Sequence, residues 1–374
     1  MIHLIRLFKA ILNILYRLIS PRHTKKKVLF MSRENNEPSV DFSLLEERIK
    51  RDHPDYDIVM LCKRMVPGRK GAIPYMFHIL RQVKEMAPAK IVILDTYNIP
   101  ASMLRHRSGQ TIVQIWHSIG TMKKNSYSIL DQPEGRSSKV AYAMDMHKNY
   151  DLIFCAGEGY RDYLAESFNY PSEALTIVPL PRVDLLRDKD WMSRKRGEIL
   201  SAYPWLKDGK VIVYAPTFRM GEDEQRDFAD AVNKLREAVA TYGDKYRLVV
   251  KSHPIDGMES DCDGFSTMEM LSVADVFISD YSCSIYEAGV AGVPLYFYTY
   301  DFDEYMSRRS VYMDYKAEIP GAMHADADSL MKDIDAGGAD ASRQKAFIDK
   351  YVELPEGSAA EKMVKIIFDH AESR

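Results

Sequence analysis

The sequence is poor in the features that mark the commonest nucleotide, metal and membrane-spanning proteins. Its four cysteines, Cys62, Cys155, Cys262 and Cys283, include no C-x-x-C pair. That argues against a zinc site or a disulfide framework and fits a reducing compartment. No G-x-x-x-x-G-K-[ST] loop is present, and no G-x-G-x-x-G follows the first strand-like run. Both absences argue against a P-loop nucleotidase and a dinucleotide oxidoreductase. No stretch of the roughly 20 apolar residues that a spanning helix needs is free of regularly placed charge. Positive charge is also scarce outside one end. Residues 1–27 hold seven cations and no acid, so the rest of the chain is ten charges negative against −3 overall. The body is therefore not a nucleic-acid binder by bulk charge.

What is present begins with residues 2–19, mostly Ile, Leu and Phe, interrupted by His3, Arg6, Lys9, Asn13 and Arg17. Intervals of three and four place those polar groups on one helical face. The pattern predicts an amphipathic helix lying in the membrane interface, ended by Pro21. The basic cluster Arg22–Lys27 after it suits an anionic membrane surface. The competing reading is a helix docked on the protein's own core.

From Lys27 onward short apolar runs alternate with helical patterns. Strands are expected at 27–31, 56–62, 90–94, 112–116, 152–156 and 174–178, then at 211–214, 246–250, 275–278 and 293–298. Helices are expected between them, and Asp131–Met146 reads as a polar loop. This is the pattern of α/β units on parallel sheets. The 374 residues suffice for two domains. The charged stretch Asp188–Arg196 puts their boundary near 190. The expected division is 1–24 for the amphipathic segment, 25–190 for a first Rossmann-like domain and 191–374 for a second.

Ligands of such sheets bind at the carboxyl ends of strands, and there the sequence concentrates its chemistry. His117 follows one strand in Trp-His-Ser-Ile-Gly-Thr-Met-Lys-Lys, with Lys123 and Lys124 close enough to meet phosphate. A histidine so placed can take a proton from a hydroxyl near neutral pH. Arg219 ends Ala-Pro-Thr-Phe-Arg, with a fork suited to phosphate. Lys251 and His253 end the next strand. Ser279, Asp280, Ser282 and Ser284 follow the strand at 275–278 and open a helix containing Glu287. A hydroxyl-rich turn at a helix N-terminus suits an anion. Each strand end also has an ordinary reading as a capped turn or surface cation. Together they point to a ligand with several phosphate charges.

These segments, with Val293-Pro-Leu-Tyr-Phe-Tyr-Thr-Tyr-Asp-Phe-Asp-Glu-Tyr and the later Arg308 and Arg309, resemble the CDP-glycerol and CDP-ribitol glycerophosphotransferases of teichoic acid synthesis. The resemblance runs over residues 25–370. It implies a GT-B architecture, two Rossmann-like domains facing a cleft, with the acceptor on the first and the CDP-polyol on the second. It implies transfer of glycerol phosphate or ribitol phosphate to a lipid-linked saccharide acceptor with release of CMP, by an enzyme peripheral to the cytoplasmic face of the membrane. On that reading His117 is the base. Arg219, Lys251, Lys123, Ser279, Asp280, Ser282 and Ser284 bind substrate, Glu287 holds the ribose, and His253 steadies the leaving group. No cofactor is required; Mg²⁺ stays open through Asp280. Ser118 stands where the family usually has glycine, and Cys283 where it has a second serine. The chain length suggests the short, primase type. A GT-B glycosyltransferase using a nucleotide sugar is the alternative on the same scaffold, and a catalytically silent membrane scaffold is another.

Overall fold

The computed structural model describes residues 2–65, 69–219, 221–252 and 260–374. His253 falls outside the described residues. The chain divides into two compact units: Met1–Ile119, Lys124–Asp184 and Glu353–Arg374 form the first, Gly120–Lys123 and Leu185–Val352 the second.

The first unit is built on six parallel strands: β1 (Lys25–Ser32), β2 (Asp57–Cys62), β3 (Ala89–Leu94), β4 (Thr111–Gln114), β5 (Leu152–Cys155) and β6 (Leu175–Ile177). They lie in the order β2-β1-β3-β4-β5-β6. Strands β3 and β4 and the last five residues of β1 are buried almost throughout, as near-continuous apolar runs demand when helices cover both faces. The first three helices of the chain, α1 (Ile2–Ile19), α2 (Val40–Asp52) and α3 (Arg69–Met86), belong to this unit. Ser39 caps α2 by accepting from the Phe42 N–H, which satisfies one of the donors a helix start leaves unpaired.

The second unit carries β7 (Lys210–Tyr214), β8 (Tyr246–Val250), β9 (Val276–Ser279), β10 (Leu295–Tyr298) and β11 (Met323–His324), in the order β11-β10-β9-β7-β8. All its pairings are parallel. Counted within each unit, both sheets share the order 2-1-3-4-5. The strand order therefore reverses between β1 and β3 in one unit and between β7 and β9 in the other. Such switch points are where open α/β sheets leave a crevice for ligand.

Two differences from the sequence reading have physical causes. The last segment, 353–374, belongs to the first unit rather than the second. Its helix Ala359–Glu372 starts on Asp184, whose carboxylate accepts from the N–H groups of Ala359 (2.7 Å) and Ala360 (3.0 Å). Phe368 of the same helix stacks on His53, ring centroids 3.6 Å apart. An amphipathic sequence does not say which core it covers. The expected loop 131–146 contains a short helix, Ser138–Ala143, whose Ala141 is buried with Tyr97 and Met146.

Candidate active site

In the first unit the carboxyl end of β4 carries the candidate base. The strand stops at Gln114, two residues earlier than expected, and Trp116 turns the chain with φ of +64°. A non-glycine residue in that region costs about 1–2 kcal/mol. Local bonds hold it there. Gln114 Oε1 accepts from the Trp116 N–H at 2.9 Å, and Gln114 Nε2 donates to the Thr96 carbonyl at 3.1 Å. The turn presents His117, half-buried, with its ring 4.1 Å from that of Trp116. His117 Nδ1 lies 3.2 Å from the Asp95 carbonyl oxygen. A carbonyl only accepts, so Nδ1 carries the hydrogen and Nε2 is the basic nitrogen.

Burial lowers the His117 pKa. The Glu34 charge and the bond to the Asp95 carbonyl oppose that shift, and Arg182 adds to it. The imidazole is thus neutral and able to accept a proton. The His117 backbone is fixed by a pair that the sequence did not reveal. Arg182 donates to Asp41 through Nε and through its own N–H, both at 2.9 Å, and its Nη2 reaches the His117 carbonyl at 3.3 Å. A cavity of about 230 Å³ opens on His117, with Arg33, Tyr97, Arg136 and His147 in its walls. Behind His117, the Asp95 carboxyl is enclosed and its pKa is pushed up to about 7 by burial, against hydrogen bonds from Ser32 and Thr96.

In the second unit the switch point brings together Arg219, Asp280 and Asp301. Asp280 is 0% exposed and Arg219 only 2%. Asp280 Oδ1 accepts from the Thr217 N–H (2.8 Å) and Oδ2 from Arg219 Nη2 (3.1 Å), while its carbonyl accepts from the Tyr315 hydroxyl (2.7 Å). Arg219 further donates through Nε to Asp301 (2.8 Å) and through Nη1 to the Thr217 carbonyl (2.6 Å). Its guanidinium lies over the rings of Tyr281, Tyr300 and Tyr305 at 5.0–5.7 Å.

The expected substrate contacts therefore separate into two groups. Arg219 and Asp280 are enclosed and bonded to protein groups. So is Ser279, whose hydroxyl donates to the Ala215 carbonyl at 3.0 Å. Lys251 is 8% exposed, and its ammonium donates to the carbonyls of Asp261 (3.0 Å) and Cys262 (3.2 Å). All four side chains are thus bonded to protein groups at the strand ends. The sequence could not show this, because the partners Asp301 and Asp261 are remote or unmarked. Ser282, Ser284 and Glu287 are half-buried on the turn and first helical residues after β9. Ser284 donates its N–H (3.3 Å) and hydroxyl (3.0 Å) to Ser282 Oγ. The helix they open, Ser284–Val290, has only seven residues, and Cys283 at its cap position makes no side-chain capping bond. Its dipole is correspondingly a small contribution.

The segment after His117 also behaves differently from expectation. Residues 120–123 belong to the second unit. A Cβ on Gly120 would stand 2.6 Å from Cε2 of Tyr286, so the glycine admits a tyrosine ring there. Lys123 pairs antiparallel with Val311 and sits 5.8 Å from the Phe218 ring. Its pKa is lowered, chiefly by burial; Cys283 and Asp280 pull the other way, and Arg309 and Arg219 reinforce it. Lys123 thus joins the second unit's strand-end cluster with Asp280 and Arg309. Among the described residues no group of three or more His, Cys, Asp or Glu side chains could hold a metal ion.

The model of the CDP-glycerol:poly(glycerophosphate) glycerophosphotransferase family matches residues 14–369. The chain belongs to that family. It is an enzyme of the glycerophosphotransferase type in teichoic acid synthesis, and the nucleotide-sugar and silent-scaffold alternatives give way. Among curated relatives, the teichoic acid ribitol-phosphate primase of Bacillus spizizenii is 28% identical, the match covering 97% of both chains. The teichoic acid glycerol-phosphate primase of Bacillus subtilis is 26% identical over 78% of this chain and 76% of its own. The wall teichoic acid polymerase TagF has the same fold, with a TM-score of 0.76 at 20% identity over 98% of this chain and 94% of that one. In this glycerophosphotransferase-family chain the Trp116 turn lies past one strand end of the first unit and the Asp280 hub past one of the second.

Proposed function

We propose that the protein is a GT-B transferase that moves glycerol phosphate or ribitol phosphate from a CDP-polyol to a hydroxyl of a lipid-linked saccharide, releasing CMP at the cytoplasmic membrane surface. The observation that carries the reading is the His117 geometry: a neutral imidazole with Nδ1–H directed to the Asp95 carbonyl and Nε2 left basic. The acceptor binds on the first unit. His117 Nε2 takes the proton of its hydroxyl as that oxygen bonds to the polyol-bearing phosphorus. The bond from this phosphorus to the CMP oxygen breaks, and CMP leaves with its electron pair. Such transfers rest on positioning and charge stabilisation.

The second unit holds the donor. Ser282, Ser284 and Lys123 meet the pyrophosphate and Glu287 the ribose, while Arg219 and Asp280 keep the turn in shape. His253 is assigned the leaving-group charge from its sequence position alone. The similarity to primases of both polyols supports the CDP-polyol class.

Membrane association is supported by α1. Leu4, Leu7, Ile11, Ile14 and Leu18 form one stripe, each 54–78% exposed, as in an interfacial helix. Among the described residues no helix is long and apolar enough to cross a membrane. The test is incubation of the full chain and a synthetic lipid-linked disaccharide with CDP-glycerol, CDP-ribitol and UDP-sugars, with products read by mass spectrometry. CMP release with a polyol-phosphate adduct is expected; UDP release would overturn the assignment.

A further inference from the structure

We infer that a cavity at the C-terminal end of α1 is a headgroup site for one anionic phospholipid, an inference that rests on the membrane association proposed for α1. The cavity holds about 500 Å³. Four guanidinium-bearing residues, Arg17, Arg22, Arg105 and Arg107, stand in its walls, and among the described residues no carboxylate does. Like charges gathered without a counter-charge repel one another, and an anion removes that repulsion. Arg107 sharpens the point. Its Nη2 donates to the Arg22 carbonyl at 2.6 Å, while its Nη1 is buried without a hydrogen-bond partner among the described residues. An unmet buried donor on a cation is costly, and negative charge held nearby offsets that cost.

The cavity is built, not incidental. Asn13 of α1 donates to the Met103 carbonyl (3.0 Å) and accepts from the Arg105 N–H (2.8 Å). Tyr16, 2% exposed, donates its hydroxyl to Gln110 Oε1 at 2.7 Å. These bonds fix α1 against the segment that carries Arg105 and Arg107. The apolar side of the site identifies the ligand. Ile14 lines the same cavity and is also part of the exposed α1 stripe, and Leu18, 78% exposed, follows Arg17 in sequence. A phosphate with apolar chains attached matches both faces; a free phosphate matches only one. Diffuse attraction of a basic segment to anionic lipid needs no pocket, so the two mechanisms can be told apart.

The experiment is flotation of the full chain with phosphatidylglycerol-containing and pure phosphatidylcholine vesicles. The Arg105→Gln/Arg107→Gln variant is compared with Lys25→Gln/Lys26→Gln, which removes the same charge outside the cavity. The arginine variant should bind anionic vesicles about tenfold more weakly than the lysine variant, equivalent to about 1.4 kcal/mol, with binding to neutral vesicles unchanged. Arg107→Lys, which keeps a cation that can meet the anion, should recover part of the loss and controls for misfolding. Equal losses in the two double variants would overturn the site while leaving membrane association intact. No vesicle binding by the wild-type chain would sink the membrane reading itself. Displacement from vesicles by inorganic phosphate, with chloride at matched ionic strength as control, would overturn the lipid assignment.

Discussion

Arg219 places Nη2 3.1 Å from Asp280 Oδ2, and neither side chain is open to solvent. The pair joins the end of β7 to the end of β9 at the point where the strand order reverses. Breaking a buried pair from one side leaves an uncompensated charge and costs about 3–5 kcal/mol. Asp280→Asn should therefore lower unfolding free energy by that order in a denaturant titration, and Arg219→Lys, which loses the planar fork, by somewhat less. If either variant kept its stability and lost only donor affinity, the residue would be a ligand contact after all.

The strand ends are legible in sequence because each apolar run stops at a polar cluster: Lys251 directly follows its strand and Arg219 lies five residues beyond its own, as expected, while Ser279 closes its strand in place of following it and His117 lies three residues past an earlier end. What each side chain does there was not legible. An arginine after a strand looks the same whether it faces a phosphate or an aspartate 82 positions later, as Arg219 faces Asp301. The positive φ at Trp116 left no residue-type signal, since glycine or asparagine would be the usual occupants. The strand β11 has two residues, too few to carry a period.

Gly120 and Tyr286 make a second test of packing against ligand contact. The alanine methyl would overlap the Tyr286 ring at 2.6 Å, and overpacking of this kind costs about 1–3 kcal/mol. Gly120→Ala should lower the unfolding midpoint, and adding Tyr286→Leu should return part of the loss. A Gly120→Ala chain as stable as wild type, with altered substrate affinity, would instead place the glycine against a ligand.

The His117 assignment predicts a pH profile. Its pKa in the folded chain lies below the ordinary histidine value of 6.5, mainly through burial. The neutral base therefore persists through pH 7, and kcat/KM should fall only on the acid side of 6.5. The unfolded chain protonates first as pH drops, so the same residue also removes stability below 6.5. His117→Ala should lower turnover by about 100- to 10,000-fold and abolish the acid limb. A limb centred above 6.5, or near-wild-type turnover in the variant, would refute the role.

Asp95 carries the opposite sign. Burial lifts its carboxyl from 3.8 to about 7 in the folded chain. Between those values the folded state holds a proton that the unfolded state has released. Its contribution to stability is therefore greatest below pH 3.8, declines as pH rises to about 7, and is level beyond. The displacement corresponds to a few kcal/mol, at about 1.4 kcal/mol per unit. Asp95→Asn stays neutral at every pH, so its unfolding free energy should lack this decline and exceed that of wild type at pH 8. Because the Asp95 carbonyl, not its carboxyl, accepts from His117 Nδ1, the acid limb of the rate profile should stay in place in the variant. A shifted limb would mean that the Asp95 charge, and not only its backbone, sets the basicity of His117.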